Sequence, residues 1–122
     1  MEPVRSDSEA LTVNELDCLL VILKGLDDRV AQERLLDQVQ ILKVTERRAM
    51  HTELCVSSET LAVALPDGPL DIRATAFDSN GSPTGFVSVW LSEGRLSMMS
   101  FGWVTDDMPD DFPPARTLMM DD

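Results

Sequence analysis

Four aspartates, paired as Asp106-Asp107 and Asp110-Asp111, are the densest group of side chains able to do chemistry in this 122-residue chain. Neighbouring carboxylates can supply oxygen ligands to Ca²⁺ or Mg²⁺. They can also divide the roles of acid and base when burial drives their pKa values apart. Neither chemistry fits the context. The spacing lacks the loop glycine and the closing glutamate of an EF-hand. Met108-Pro109 separates the pairs and Phe112-Pro113-Pro114 follows them, so a turn-rich, solvated acidic segment is expected, pinned by Phe112.

Other reactive types are sparse. His51 is the one histidine and has no nucleophile near it in sequence, so a solvated loop or turn position is expected rather than a triad. Cys18 and Cys55 lie too far apart for a zinc spacing or a disulfide framework. Both sit in apolar stretches and are expected to be buried free thiols. The glycines are scattered at turns and form no phosphate-binding loop. Arg47 and Arg48, with Lys43 nearby, make the one basic cluster, expected in a solvated loop or as a local partner for the surrounding acid. No catalytic residue, cofactor or metal ligand is assigned.

Charge points instead to binding. Ten basic residues stand against 22 acidic ones, for a net charge of −12. A field of that sign repels nucleic acid and anionic lipid, favours basic partner surfaces, and also serves solubility. Both halves contribute: residues 1–61 hold 7 basic and 12 acidic side chains, and residues 62–122 hold 3 and 10. In the second half the acid concentrates after the last strand, beside aromatic residues. Trp90 and Trp103 are therefore candidate interface anchors next to the four aspartates. For Trp90 the competing expectation is that residues 112–114 cover it.

The elements that must position these groups follow from periodicity. Residues 1–11 are polar and expected to fray. Thr12-Val13-Asn14-Glu15 has the form of a capping box, Leu16, Leu19, Leu20 and Leu23 recur at helical spacing, and Gly25 ends a helix over residues 12–24. Asp27 and Asp28 can open a second helix, with Val30, Leu35, Leu36 and Val39 inward, ending at residues 38–40. Residues 39–45 shift toward strand alternation, and residues 46–51 break the apolar pattern. Leu54, Val56 and the 61–65 run suggest one or two short strands. Leu70, Ile72, Ala74 and Ala76, then Val87, Val89 and Leu91, then Leu96 to Trp103 predict a three-stranded antiparallel meander. Glu93-Gly94 is its hairpin turn, and Gly102 a candidate bulge. The last residues, 118–122, are expected to be disordered.

The fold class expected is therefore α+β: two N-terminal helices packed on an antiparallel sheet of about four to five strands. Length fits one domain, divided into a frayed start (1–11), helices plus sheet (12–104) and an acidic tail (105–122). The start of the chain has no signal-peptide pattern and the longest apolar run, 19–23, is too short to span a bilayer, which gives a cytoplasmic expectation.

The 72–77 strand, Asp78-Ser79-Asn80-Gly81, Gly94-Arg95-Leu96-Ser97 and the aromatic strand before the acidic, proline-containing tail resemble a group of short uncharacterised bacterial α+β proteins. The resemblance covers roughly residues 12–114. It implies two helices preceding a small antiparallel sheet and carries over no catalytic residue. More loosely, the chain resembles the small acidic immunity proteins of bacterial toxin systems. Many of those carry closely spaced cysteines after the second helix, where this chain has Arg47-Arg48-Ala49-Met50-His51. Small size, charge and the missing catalytic groups together lead to the expectation of a non-enzymatic, immunity-type inhibitor that neutralises a basic toxin or nuclease through Asp106, Asp107, Asp110 and Asp111, with Trp90 or Trp103 as anchor. The alternatives are a phage- or plasmid-type nucleic-acid mimic acting on a restriction or CRISPR nuclease, and a small ligand-binding domain or enzyme.

Overall fold

A computed structural model describes residues 10–121. The frayed start expected for residues 1–9 lies outside the described residues. Leu11 already packs against the core. Helix α1 spans Val13–Lys24 and α2 spans Arg29–Val39. Thr12 and Glu15 close the capping box in both directions, satisfying two orphan donors at the start of α1. Asp28 caps α2 by accepting from the Ala31 amide at 3.1 Å.

The strands are β1 (Lys43–Arg48), β2 (His51–Cys55), β3 (Gly68–Pro69), β4 (Arg73–Phe77), β5 (Pro83–Ser92), β6 (Arg95–Trp103) and β7 (Leu118–Asp121). They form one antiparallel sheet in the order β1-β2-β6-β5-β4-β7, with β3 also paired to β5. Both helices pack on one face. The fold class is α+β as expected, and the meander is β4-β5-β6.

The sheet is wider than expected, seven strands rather than four or five, because charged and terminal segments join it. Residues 43–55 form a hairpin turning at Ala49-Met50, with Ala49 in the left-handed region at φ 50°. Arg47, Arg48 and His51 are therefore strand residues rather than loop residues. The turn carries no Gly, Asn or Pro to announce it, and the strand's charges mask its alternation. Residues 118–121 are likewise ordered, as edge strand β7, which pairs with β4 from Leu118 opposite Ala76 to Asp121 opposite Arg73.

Other expectations are corrected in detail. Residues 61–65 form no strand; Val63 is buried, and its amide donates to Gly94 O at 2.9 Å. Val30 and Ile41 face solvent, and Ala31, Leu35 and Gln38 are the buried positions of α2. The bulge lies at Ser97 rather than Gly102: Trp90 opposes Met98 and Leu91 opposes Leu96. One extra residue on β6 lets both Leu96 and Met99 point at the helices. Glu93 (φ 53°) and Gly94 (φ 75°) form the β5–β6 turn, as two successive left-handed residues should.

The core lies between the helices and the inner sheet face. Leu19, Ile22, Leu35, Val89, Leu96 and Met99 are fully or almost fully buried in it. Gln38, itself fully buried, ties α2 to the hairpin: its amide donates to Leu61 O and Gly94 O and accepts from the Leu96 amide at 2.9 Å. Each polar atom of that side chain thus has a backbone partner, which is what makes a buried amide tolerable. No helix of the described residues is long and apolar enough to cross a membrane.

Candidate functional site

The acidic pairs belong to the connection between β6 and β7. It leaves the sheet where the Val104 amide donates to Thr84 O at 2.9 Å. The Thr105 hydroxyl donates to Asp107 O at 3.0 Å, closing a local turn. Asp106, Asp107 and Asp110 are exposed, and no hydrogen bond or ion pair engages their carboxylates among the described residues. Val104 and Met108 stand among them with 64% and 51% of their surfaces exposed. The loop thus presents three free carboxylates and two apolar side chains together.

The far end of the loop is tied into the fold. Asp111 Oδ1 accepts from the Thr12 hydroxyl at 3.1 Å and from the Phe112 amide at 2.7 Å. Phe112 is buried, with its ring centroid 6.2 Å from that of Phe101. The Cys18 thiol donates to Pro113 O at 3.1 Å. Burial pushes that thiol up to about 12, with the charges of Asp111, Asp17 and Glu15 adding to the shift. A thiol so protected is no nucleophile.

Beneath Asp111 lies a buried polar junction. Glu15, 2% exposed, accepts from the Thr12 amide at 2.8 Å, from two nitrogens of Arg47 at 2.7 and 3.0 Å, and from the Thr52 hydroxyl at 2.5 Å. Burial alone would raise the carboxyl pKa. The hydrogen bonds from Arg47, Thr52 and Thr12, with the charge of Arg47, outweigh it and hold the carboxyl below its ordinary value. Arg47 is raised in turn, chiefly by its hydrogen bonds to Glu15. Arg47 also donates to Ala10 O at 2.7 Å. The junction therefore clamps the start of α1 to β1 and β2, with Asp111 docked on the same cap residue. A small cavity of about 230 Å³ opens between Arg47, Glu15, Asp110 and Asp111. Glu15 is ionised and fully engaged there, so it offers no free base.

The structure keeps several candidates apart. Asp111 is half-buried and holds the loop's anchor, whereas the other three aspartates face solvent. Trp103, at the end of β6, packs partly against the core below the loop. Trp90 lies on the outer sheet face, opposite Met98. The 112–114 segment does not cover Trp90, because Phe112 sits on the inner side against Phe101. Trp90 Nε1 is buried and unpaired among the described residues, so Trp90 offers a partner its ring and no donor. His51 is exposed on the outer face opposite Ser100, on the other side of the sheet from Glu15. Cys55 is exposed, contrary to expectation, because alternation on β2 turns Leu54 inward. No cluster of three or more metal-ligating side chains occurs among the described residues. A cleft of about 660 Å³ lies between the 78–82 loop and the start of β7, lined by Phe77, Leu118, Met119 and Arg116. Asp78, also on its wall, already accepts from the Asn80 and Ser82 amides.

Sequence reading offers Arg47 as a loop residue or a local partner for acid without naming Glu15, and misses Gln38, which ties α2 to the β5–β6 turn at the opposite end of β6. The signal for Arg47 was indirect: a capping-box glutamate leaves one carboxylate oxygen to spare, and a burial site would demand a cation for it. Gln38 gave none. No family model, curated protein or solved structure matches the chain.

Proposed function

We propose that this protein is a non-enzymatic binding protein that neutralises a basic macromolecular partner, as an immunity-type inhibitor of a toxin or nuclease does. The observation that carries the reading is the β6–β7 loop. It is held at both ends, by Val104 to Thr84 and by Asp111, Phe112 and Pro113 to α1 and β6. Between these anchors it shows Asp106, Asp107 and Asp110 with Val104 and Met108. A preorganised loop loses little conformational entropy on binding. Free carboxylates steer a basic partner into encounter, and apolar side chains between them provide the desolvated contact that slows dissociation. Three free carboxylates beside two apolar side chains on one anchored loop fit a compact protein-binding site.

The test is affinity capture from the source cells, followed by titration of the chain with the purified captured protein. The reading expects a basic protein whose toxic or nuclease activity the chain suppresses. The triple variant Asp106→Lys, Asp107→Lys, Asp110→Lys should weaken binding at least tenfold at low salt. Unchanged affinity in that variant rules the loop out as the binding site.

A further inference from the structure

The outer face of the sheet has no layer over it among the described residues, and it differs in character from the rest of the molecule. Alternation and register place Met119 of β7, Thr75 of β4, Phe86, Ser88 and Trp90 of β5, and Met98 and Ser100 of β6 on this face. Met119 is 65% exposed and Phe86 36%. In a chain of net charge −12, this face is close to neutral. Its acidic positions among the described side chains are Glu46 and Glu53, and Lys43, Arg48 and Arg73 on the same face outnumber them. Arg48 pairs with both Glu46, at 2.8 Å, and Glu53, at 3.1 Å. Arg73 lies over the Phe86 ring at 4.5 Å. Among the described side chains the acidic excess is therefore carried by the helix layer and the loops.

We infer that the outer face binds a second copy of this chain, sheet against sheet, about a two-fold axis passing over Ser88. Charge selects this occupant. Two copies carrying a large negative charge repel through any acidic surface, and the outer face is the broad surface on which that repulsion is absent. A basic partner finds no unpaired carboxylate cluster to bind here. Size is sufficient as well. A strand residue covers ~16 Å² of sheet, from a rise of about 3.4 Å and a spacing of about 4.8 Å. The six adjacent strands then offer on the order of 600 Å² of flat face per copy, and side-chain relief raises this toward the ~800 Å² per partner of a stable interface. Shape agrees: Ser88 and Ser100 pair across β5 and β6, forming a low row flanked by Phe86 on one side and Trp90 with Met98 on the other. An axis over Ser88 that reverses strand direction sets Phe86 of one copy against Trp90 of the other, so ridges meet across a shared trough.

The test is the solution mass at micromolar concentration, by sedimentation equilibrium. The native chain should run at twice its chain mass. Ser88→Lys or Ser88→Glu alone should raise the dimer dissociation constant at least a hundredfold, because each places like charges face to face at the axis. Mixing Ser88→Lys with Ser88→Glu should restore the dimer. Val30→Lys, on the exposed side of α2, should leave it intact. Circular dichroism and cooperative unfolding show that each variant is folded. Added salt should strengthen dimerisation slightly, the opposite sign from binding of a basic partner to the acidic loop, so the two proposals fail separately. A monomeric native chain, a dimer that survives Ser88→Lys, or no restoration on mixing overturns the inference.

Discussion

Replacing Glu15 should be among the most damaging single changes in this protein. Glu15→Ala removes the acceptor for the Thr12 amide, for two nitrogens of Arg47 and for the Thr52 hydroxyl. Breaking a buried ion pair costs about 3–5 kcal/mol. The Arg47 side chain keeps 30% of its exposure, so water partly rehydrates the stranded cation and the lower end applies. Loss of half a capping box and of a buried hydroxyl's partner overlaps with that figure rather than adding to it. The expected destabilisation is about 3 kcal/mol, which for a chain of this length is a fall of about 12 °C in Tm. Urea unfolding of the native chain, Glu15→Ala, Arg47→Met and the double variant measures it. The pair should show a coupling of about 2 kcal/mol. A cost for Glu15→Ala below about 1 kcal/mol, or simple additivity in the cycle, refutes the reasoning. The pH dependence has a definite sign. The folded carboxyl titrates below its ordinary value of 4.5, so its contribution is present above that value and is lost as pH falls through the lower folded value. The native chain should therefore lose stability more steeply than Glu15→Gln as pH is lowered below 4.5.

Three further outcomes follow from the same contacts. Cys55 should react quickly with a thiol reagent in the native protein, and Cys18 only after denaturant is added; two fast thiols would contradict the burial of Cys18 and its bond to Pro113. Phe112→Ala should cost about 3 kcal/mol by emptying the space beside Phe101, and should speed amide exchange across residues 104–113 more than in α1; uniform exchange would mean that Phe112 does not anchor the loop. Gln38→Leu should cost about 2–3 kcal/mol, because Leu61 O and the Leu96 amide lose this partner together while Gly94 O keeps only the Val63 amide; a neutral effect in thermal unfolding would show that those groups find other partners.

Elements whose signal is local were readable before the structure. The α1 cap, the Glu93-Gly94 turn and the β4-β5-β6 alternation depend on neighbours in sequence, and each is found where periodicity put it except that β4 starts at Arg73 and leaves Leu70 and Ile72 outside the strand. Elements created by tertiary partners were not readable. Arg47 is charged, yet its strand exists because Glu15, far away in sequence, gives that charge a buried home. Residues 118–121 carry little strand signal of their own and become a strand because β4 leaves an edge open beside them. Ser97 shifts the face of β6 with no sequence mark except two apolar neighbours, Leu96 and Met99, that both need the core. The candidate site divides in the same way. Asp106, Asp107 and Asp110 are exposed as their composition suggests, whereas Asp111 belongs to the anchor that positions them, a distinction made by Thr12 and Phe112 rather than by spacing.

The association rate of the captured basic partner with the native chain and with the Asp106→Lys, Asp107→Lys, Asp110→Lys variant, followed by stopped flow at low and high salt, tests the proposed function most directly. Binding through the anchored acidic loop predicts fast association that slows steeply with salt, and a variant slowed at least tenfold at low salt with a flattened salt slope. Equal rates and equal salt slopes for the two proteins would contradict it.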